Sequence, residues 1–124
     1  MINLMVEIFK VLEGNNLWSC DISWVGSKDG AYAMTWDEFH GKFKNLKYNS
    51  GYGVQEIATD LVVVSTTKGW WLERHAYDGS EWWVVKKMPT LTNNPKLFNK
   101  IISDCMGWAT LNIINSCEDR GKVK

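Results

Sequence analysis

The chain has 124 residues, 45% of them hydrophobic and 23% charged, with a formal net charge of zero. That length and balance describe one folded domain, residues 1–124, able to bury a core without disulfides or metals. Zero net charge argues against a basic coat for phosphate and against an acidic mimic of nucleic acid, so a direct nucleic-acid reader is disfavoured.

Residues 2–13, INLMVEIFKVLE, read as a helix, with polar Asn3, Glu7 and Lys10 recurring at helical spacing. The rest of its circumference is apolar, and surface left over there would suit a homodimer. Gly14 and the two asparagines after it stop the helix. Residues 17–25, LWSCDISWV, alternate, with Trp18, Cys20, Ile22 and Trp24 on one side, as in a half-buried strand. Residues 26–30 turn, and residues 31–35 return as the second strand of a hairpin.

Thr35 and Glu38 fit a capping box. The helix it opens carries Phe39, Phe43 and Leu46 on one face and Lys42, Lys44 and Lys47 on the other. Residues 49–53 form a loop around Gly51, Tyr52 and Gly53, which either turns the chain or approaches a ligand; without a following Lys-Ser/Thr pair it is not a P-loop. Residues 60–66, DLVVVST, are apolar on both faces at 61–64, which predicts a central strand.

Residues 70–77 and 81–88 are two further strands joined at Asp78-Gly79, a strong hairpin signal, and Pro89 ends the sheet. Asn94 as N-cap and Pro95 at the first helical position open a long helix running to about Ser116. Its wide apolar face combines a row through Leu97, Ile101, Cys105, Trp108 and Asn112 with a row through Phe98, Ile102, Ala109 and Ile113. The sum is an α+β fold: a curved antiparallel sheet of about five strands, a hairpin plus a three-stranded meander, packed with an N-terminal, a middle and a long C-terminal helix.

Cys20, Cys105 and Cys117 are odd in number and match no zinc spacing, so reduced, mostly buried thiols are expected. His40 and His75 lie too far apart in sequence to suggest a metal site. No residues form a recognisable catalytic constellation, so the expectation is a protein without enzymatic activity, cofactor or metal. Glu73 with His75 is the one pair worth testing as an acid–base couple. The N-terminus lacks the features of a signal peptide and no apolar run is long enough to span a bilayer, which points to the cytoplasm.

The stretch GWWLERHAYDGSEWWVV, residues 69–85, holds half of the chain's 8 tryptophans as two adjacent pairs. Neighbours on a strand face opposite ways, so each pair puts one indole on each side of the sheet. A two-residue turn at Asp78-Gly79 sets His75 opposite Trp82, Glu73 opposite Val84, Arg74 opposite Trp83 and Ala76 opposite Glu81. One face then offers Trp71, Glu73, His75, Tyr77 and Trp82. Either Glu73 orients a buried His75 for stability, or the set is a polar patch that meets a ligand or partner. The other face offers Arg74 over Trp83, a cation–π pair that is either a surface stack or part of a binding hot spot. An indole can bury up to ~250 Å², so two left bare approach the area that marks an interaction surface. The candidate partner-binding residues are Trp71, Glu73, Arg74, His75, Tyr77, Asp78, Glu81, Trp82 and Trp83.

Residues 48–89, with the GYG loop, the DLVVV run and WWLERHAYDGSEWW, resemble a pattern in small proteins encoded by phages and prophages of Gram-positive bacteria. Residues 1–36, a helix followed by NNLWSCDISWV and a turn, resemble the start of a type II-A anti-CRISPR protein. The resemblance implies a phage protein that works in the bacterial host cytoplasm by binding and blocking a host defence protein, a Cas effector among the partners it suggests. A nucleotide or other small-molecule binder that sequesters a defence signal is the alternative, with indoles stacking on a base and Arg74 and the Gly51–Gly53 loop holding phosphate.

Overall fold

A computed structural model describes residues 1–51, 53–103 and 107–116. Two compact units make up the chain, Met1–Pro89 and Thr90–Lys124. In the first, β1 (Ile2–Asn3) leads into α1 (Leu4–Gly14), a 3₁₀ turn (Ser19–Asp21), β2 (Trp24–Ser27), β3 (Ala33–Met34), α2 (Trp36–Phe43), β4 (Lys47–Tyr48), β5 (Leu61–Ser65), β6 (Trp70–Tyr77) and β7 (Ser80–Lys87). β2, β3, β5, β6 and β7 form one five-stranded antiparallel sheet in the order β3-β2-β5-β6-β7, and β1 pairs with β4. The class is therefore α+β, and β5 is central, as its two-sided apolar run requires.

α1 starts two residues later than the apolar pattern predicts. Ile2 and Asn3 are taken up by pairing with Tyr48 and Lys47, and the Asn3 side chain accepts from the Val6 amide at 3.0 Å as an N-cap. α1 buries Leu4, Met5, Ile8 and Leu12 against the sheet. The capping box of α2 is present: the Glu38 amide donates to Thr35 Oγ1 at 3.1 Å, and the Thr35 amide to Glu38 Oε1 at 2.9 Å. Phe39 of α2 joins the same core, with Val25, Val63, Trp70, Leu72 and Trp83 from the sheet. Both helices thus contribute to the core on the Trp70 side of the sheet.

The strand expected over residues 17–25 is largely replaced. The chain makes a 3₁₀ turn at Ser19–Asp21 and becomes a strand only at Trp24. β5 ends at Ser65, so residues before Ser23 have no neighbouring strand to pair with; Ser23 closes the ladder, its amide donating to Val64 O (2.7 Å) and its hydroxyl sharing a hydrogen bond with the Thr66 hydroxyl (2.9 Å). Cys20 is consequently exposed, not buried as expected. Cys105 and Cys117 lie outside the described residues, as does Tyr52.

The long helix expected from Asn94 to Ser116 is also corrected. Residues 94–103 are not helical, Gly107 sits at φ +71°, and among the described residues of this segment helix is confined to 111–116. Ser, Asn, Thr, Gly and β-branched Ile give this segment little intrinsic helicity, and a helix needs a buried apolar face to offset that. Leu97, Ile101, Ile102 and Trp108 are instead exposed. Asn115 closes this unit locally: its Oδ1 accepts from the Asn99 amide (3.3 Å), and its Nδ2 donates to Leu111 O (2.8 Å).

Candidate binding surface

The β6–β7 hairpin has the register its turn dictates. Tyr77 pairs with Ser80, His75 with Trp82, Arg74 with Trp83 and Trp71 with Lys86. Asp78 (φ 52°) and Gly79 (φ 84°) both take positive φ, as a two-residue turn matching the strand twist demands. Each tryptophan pair is therefore split. Trp70 and Trp83 are 3% and 5% exposed, while Trp71 is half-buried and Trp82 is 37% exposed.

On the inward face Arg74 is not a surface stack but a buried group. Its side chain is only 4% exposed. The guanidinium lies 4.7 Å from the Trp83 ring centroid and 5.3 Å from that of Tyr48. Its Nη2 donates to Glu81 Oε1 (2.9 Å) and to the Tyr48 hydroxyl (3.1 Å), and its Nη1 to Glu7 Oε1 (3.4 Å). The Tyr48 hydroxyl in turn donates to Glu7 Oε1 at 2.6 Å. One cation thereby ties α1, β4, β6 and β7 together.

Glu81 extends the network into the loop before β5, accepting from the amides of Glu56 (2.8 Å) and Ile57 (3.2 Å). Burial pushes the Glu81 carboxyl up, but the Glu56 amide, the Arg74 guanidinium and the Ile57 amide together hold it below the usual carboxylate value. Burial and the bond to Glu7 push the Tyr48 phenol up to about 12, against the pull of Arg74. Of the expected partner-binding residues, Arg74, Glu81 and Trp83 therefore belong to the interior. With Arg74 committed to two carboxylates, it is not free to hold a phosphate, which removes that part of the nucleotide reading.

The outward face brings the others together. His75 and Trp82 meet edge to face, with ring centroids 5.0 Å apart. Tyr77 and Asp78 lie exposed at the hairpin tip. Glu73 does not orient His75, and His75 is exposed. Glu73 instead accepts from Trp71 Nε1 (3.3 Å) and pairs with Lys28 Nζ (2.8 Å). The Lys28 bond holds the Glu73 carboxyl below its ordinary value, with further help from Trp71. The Glu73–His75 acid–base couple thus has no geometric basis. Trp24, Val64 and Lys28 were missed as members of this face. Trp24 pairs with Val64, and Val64 with Trp71, so all three side chains point the same way. Only the pairing of β2 on β5 reveals that, and no local pattern encodes it.

Among the described residues no group of three or more His, Cys, Asp or Glu could hold a metal ion, and no helix is long and apolar enough to cross a membrane. Comparisons with protein-family models, characterised proteins and solved structures find no match for this chain.

Proposed function

We propose that the protein is a non-catalytic binding module that docks onto a host defence protein through the outward face of β6 and β7. The observation that carries this reading is the alternation itself. The inward residues of these strands build the core, while Trp71, His75, Tyr77 and Trp82 remain at least partly open beside one another. Aromatic residues of this kind dominate binding energies at protein interfaces. Glu73 supports the role by fixing the Trp71 indole, and a held ring loses little side-chain entropy on docking. The defence system as target rests on the resemblance of residues 48–89 to phage-encoded patterns and of residues 1–36 to an anti-CRISPR start.

The test is phage plating on a CRISPR-bearing host that expresses the protein. Wild type should restore plaques, and the Tyr77→Ala, Trp82→Ala double variant should not, while keeping the far-UV circular dichroism of wild type. Loss of an aromatic hot spot of about 2 kcal/mol would weaken partner binding roughly 30-fold. Absence of protection by wild type would remove the defence target. Full protection by the folded double variant would remove this surface.

A further inference from the structure

A second feature lies on the other side of the sheet and plays no part in the docking reading. Between α2, the β2–β3 pair and the loop before β5 there is a cleft of ≈ 420 Å³. Its walls are apolar, chiefly Val25, Met34, Phe39, Phe43, Ile57 and Leu61. The cleft is open to solvent, with Tyr32, Leu46, Glu56 and Asp60 exposed along it, and its volume is within the range of small-molecule sites, which are apolar clefts with a few placed polar groups.

The charged groups here have one sign. Glu56 and Asp60 line the cleft, and among the described residues no lysine or arginine does. Neither carboxylate forms an ion pair among the described residues. Glu56 Oε1 accepts one long bond from the Asn49 amide, at 3.3 Å. Of the uncharged polar side chains, Tyr32 is largely exposed, and Ser27 is already engaged by Asp29 Oδ1 (2.6 Å) and the Tyr32 amide (3.0 Å). The wall is also held in place. Gly26 lies so close to β3 that a Cβ on it would fall 1.9 Å from the Tyr32 carbonyl oxygen, and Glu81 anchors the loop through the Glu56 and Ile57 amides.

We propose that this cleft binds a small apolar molecule carrying one positively charged amine. The hydrocarbon body fills the space between α2 and the sheet, and the ammonium group sits at the Glu56 and Asp60 carboxylates. An apolar carboxylate of the same shape is repelled there, and a neutral alcohol falls between the two.

Three rigid probes of equal shape test this: adamantylammonium, adamantanol and adamantane carboxylate, titrated into the full chain by calorimetry and by methyl NMR. The expected order is ammonium over alcohol over carboxylate, with shifts at Met34, Ile57 and Leu61. The Glu56→Gln, Asp60→Asn variant should bind the ammonium about tenfold more weakly and the alcohol unchanged. Equal binding of all three probes, binding of none, or shifts confined to other residues would overturn the proposal. Because Trp82 and Tyr77 are untouched, phage plating by the cleft variant reports the docking surface separately.

Discussion

Arg74 is the residue whose removal reads most directly on the interior. Arg74→Met keeps an apolar chain between the Trp83 and Tyr48 rings but strands the Glu81 carboxylate, whose side chain is 4% exposed. Breaking a buried ion pair from one side costs roughly 3–5 kcal/mol. Glu81 retains the Glu56 and Ile57 amides, so the lower end, about 3 kcal/mol at pH 7, is expected. Urea unfolding of wild type and variant, followed by tryptophan emission and far-UV circular dichroism, measures the difference. The penalty must also depend on pH. In wild type the Glu81 pKa is depressed, so its stabilisation is complete above the unfolded carboxylate value of about 4.3 and disappears as pH falls through the folded one. Without the guanidinium that depression is lost, and wild type should lose more stability on acidification than the variant. A penalty below about 1 kcal/mol, or a gap that fails to narrow towards pH 4, would refute the view that this cation holds the network together.

Gly26→Ala should destabilise the protein by about 3 kcal/mol, since the added methyl meets backbone and no rotamer relieves it; a urea midpoint within error of wild type would contradict this. Tyr48, with its phenol pushed up to about 12, contributes stability that is complete below its unfolded pKa near 10 and is lost as pH rises through the folded value; Tyr48→Phe should flatten that alkaline limb of the stability profile. In a Trp18→Phe, Trp108→Phe background, which removes two exposed indoles, Trp82→Phe should abolish more iodide quenching than Trp70→Phe or Trp83→Phe. Gly79→Ala places a side chain at φ 84° and should cost about 1 kcal/mol, read in the same urea assay.

What was legible in the sequence was what short-range rules decide. Asp78-Gly79 fixes a two-residue turn, and the turn fixes every pair from Tyr77–Ser80 to Trp70–Lys87. The apolar run at 61–64 gave β5 its central place, and Thr35 with Glu38 gave α2 its start. The failures depended on partners far along the chain. Residues 17–21 alternate like a strand but find no strand beside them, and residues 94–103 have helical periodicity without helical geometry. The site was half legible: alternation separated the two indoles of each pair, but which face α1 and α2 would cover was a tertiary choice. That choice placed Arg74, Glu81 and Trp83 inside, and set Lys28, from the turn after β2, against Glu73.

The division of labour along β6 and β7 has an evolutionary consequence. Odd-numbered positions on β6 and even-numbered ones on β7 face outward, so substitutions at His75, Tyr77 or Trp82 leave the packed layer beneath them in place. Selection can therefore rewrite one side of this ribbon while the other is inherited intact.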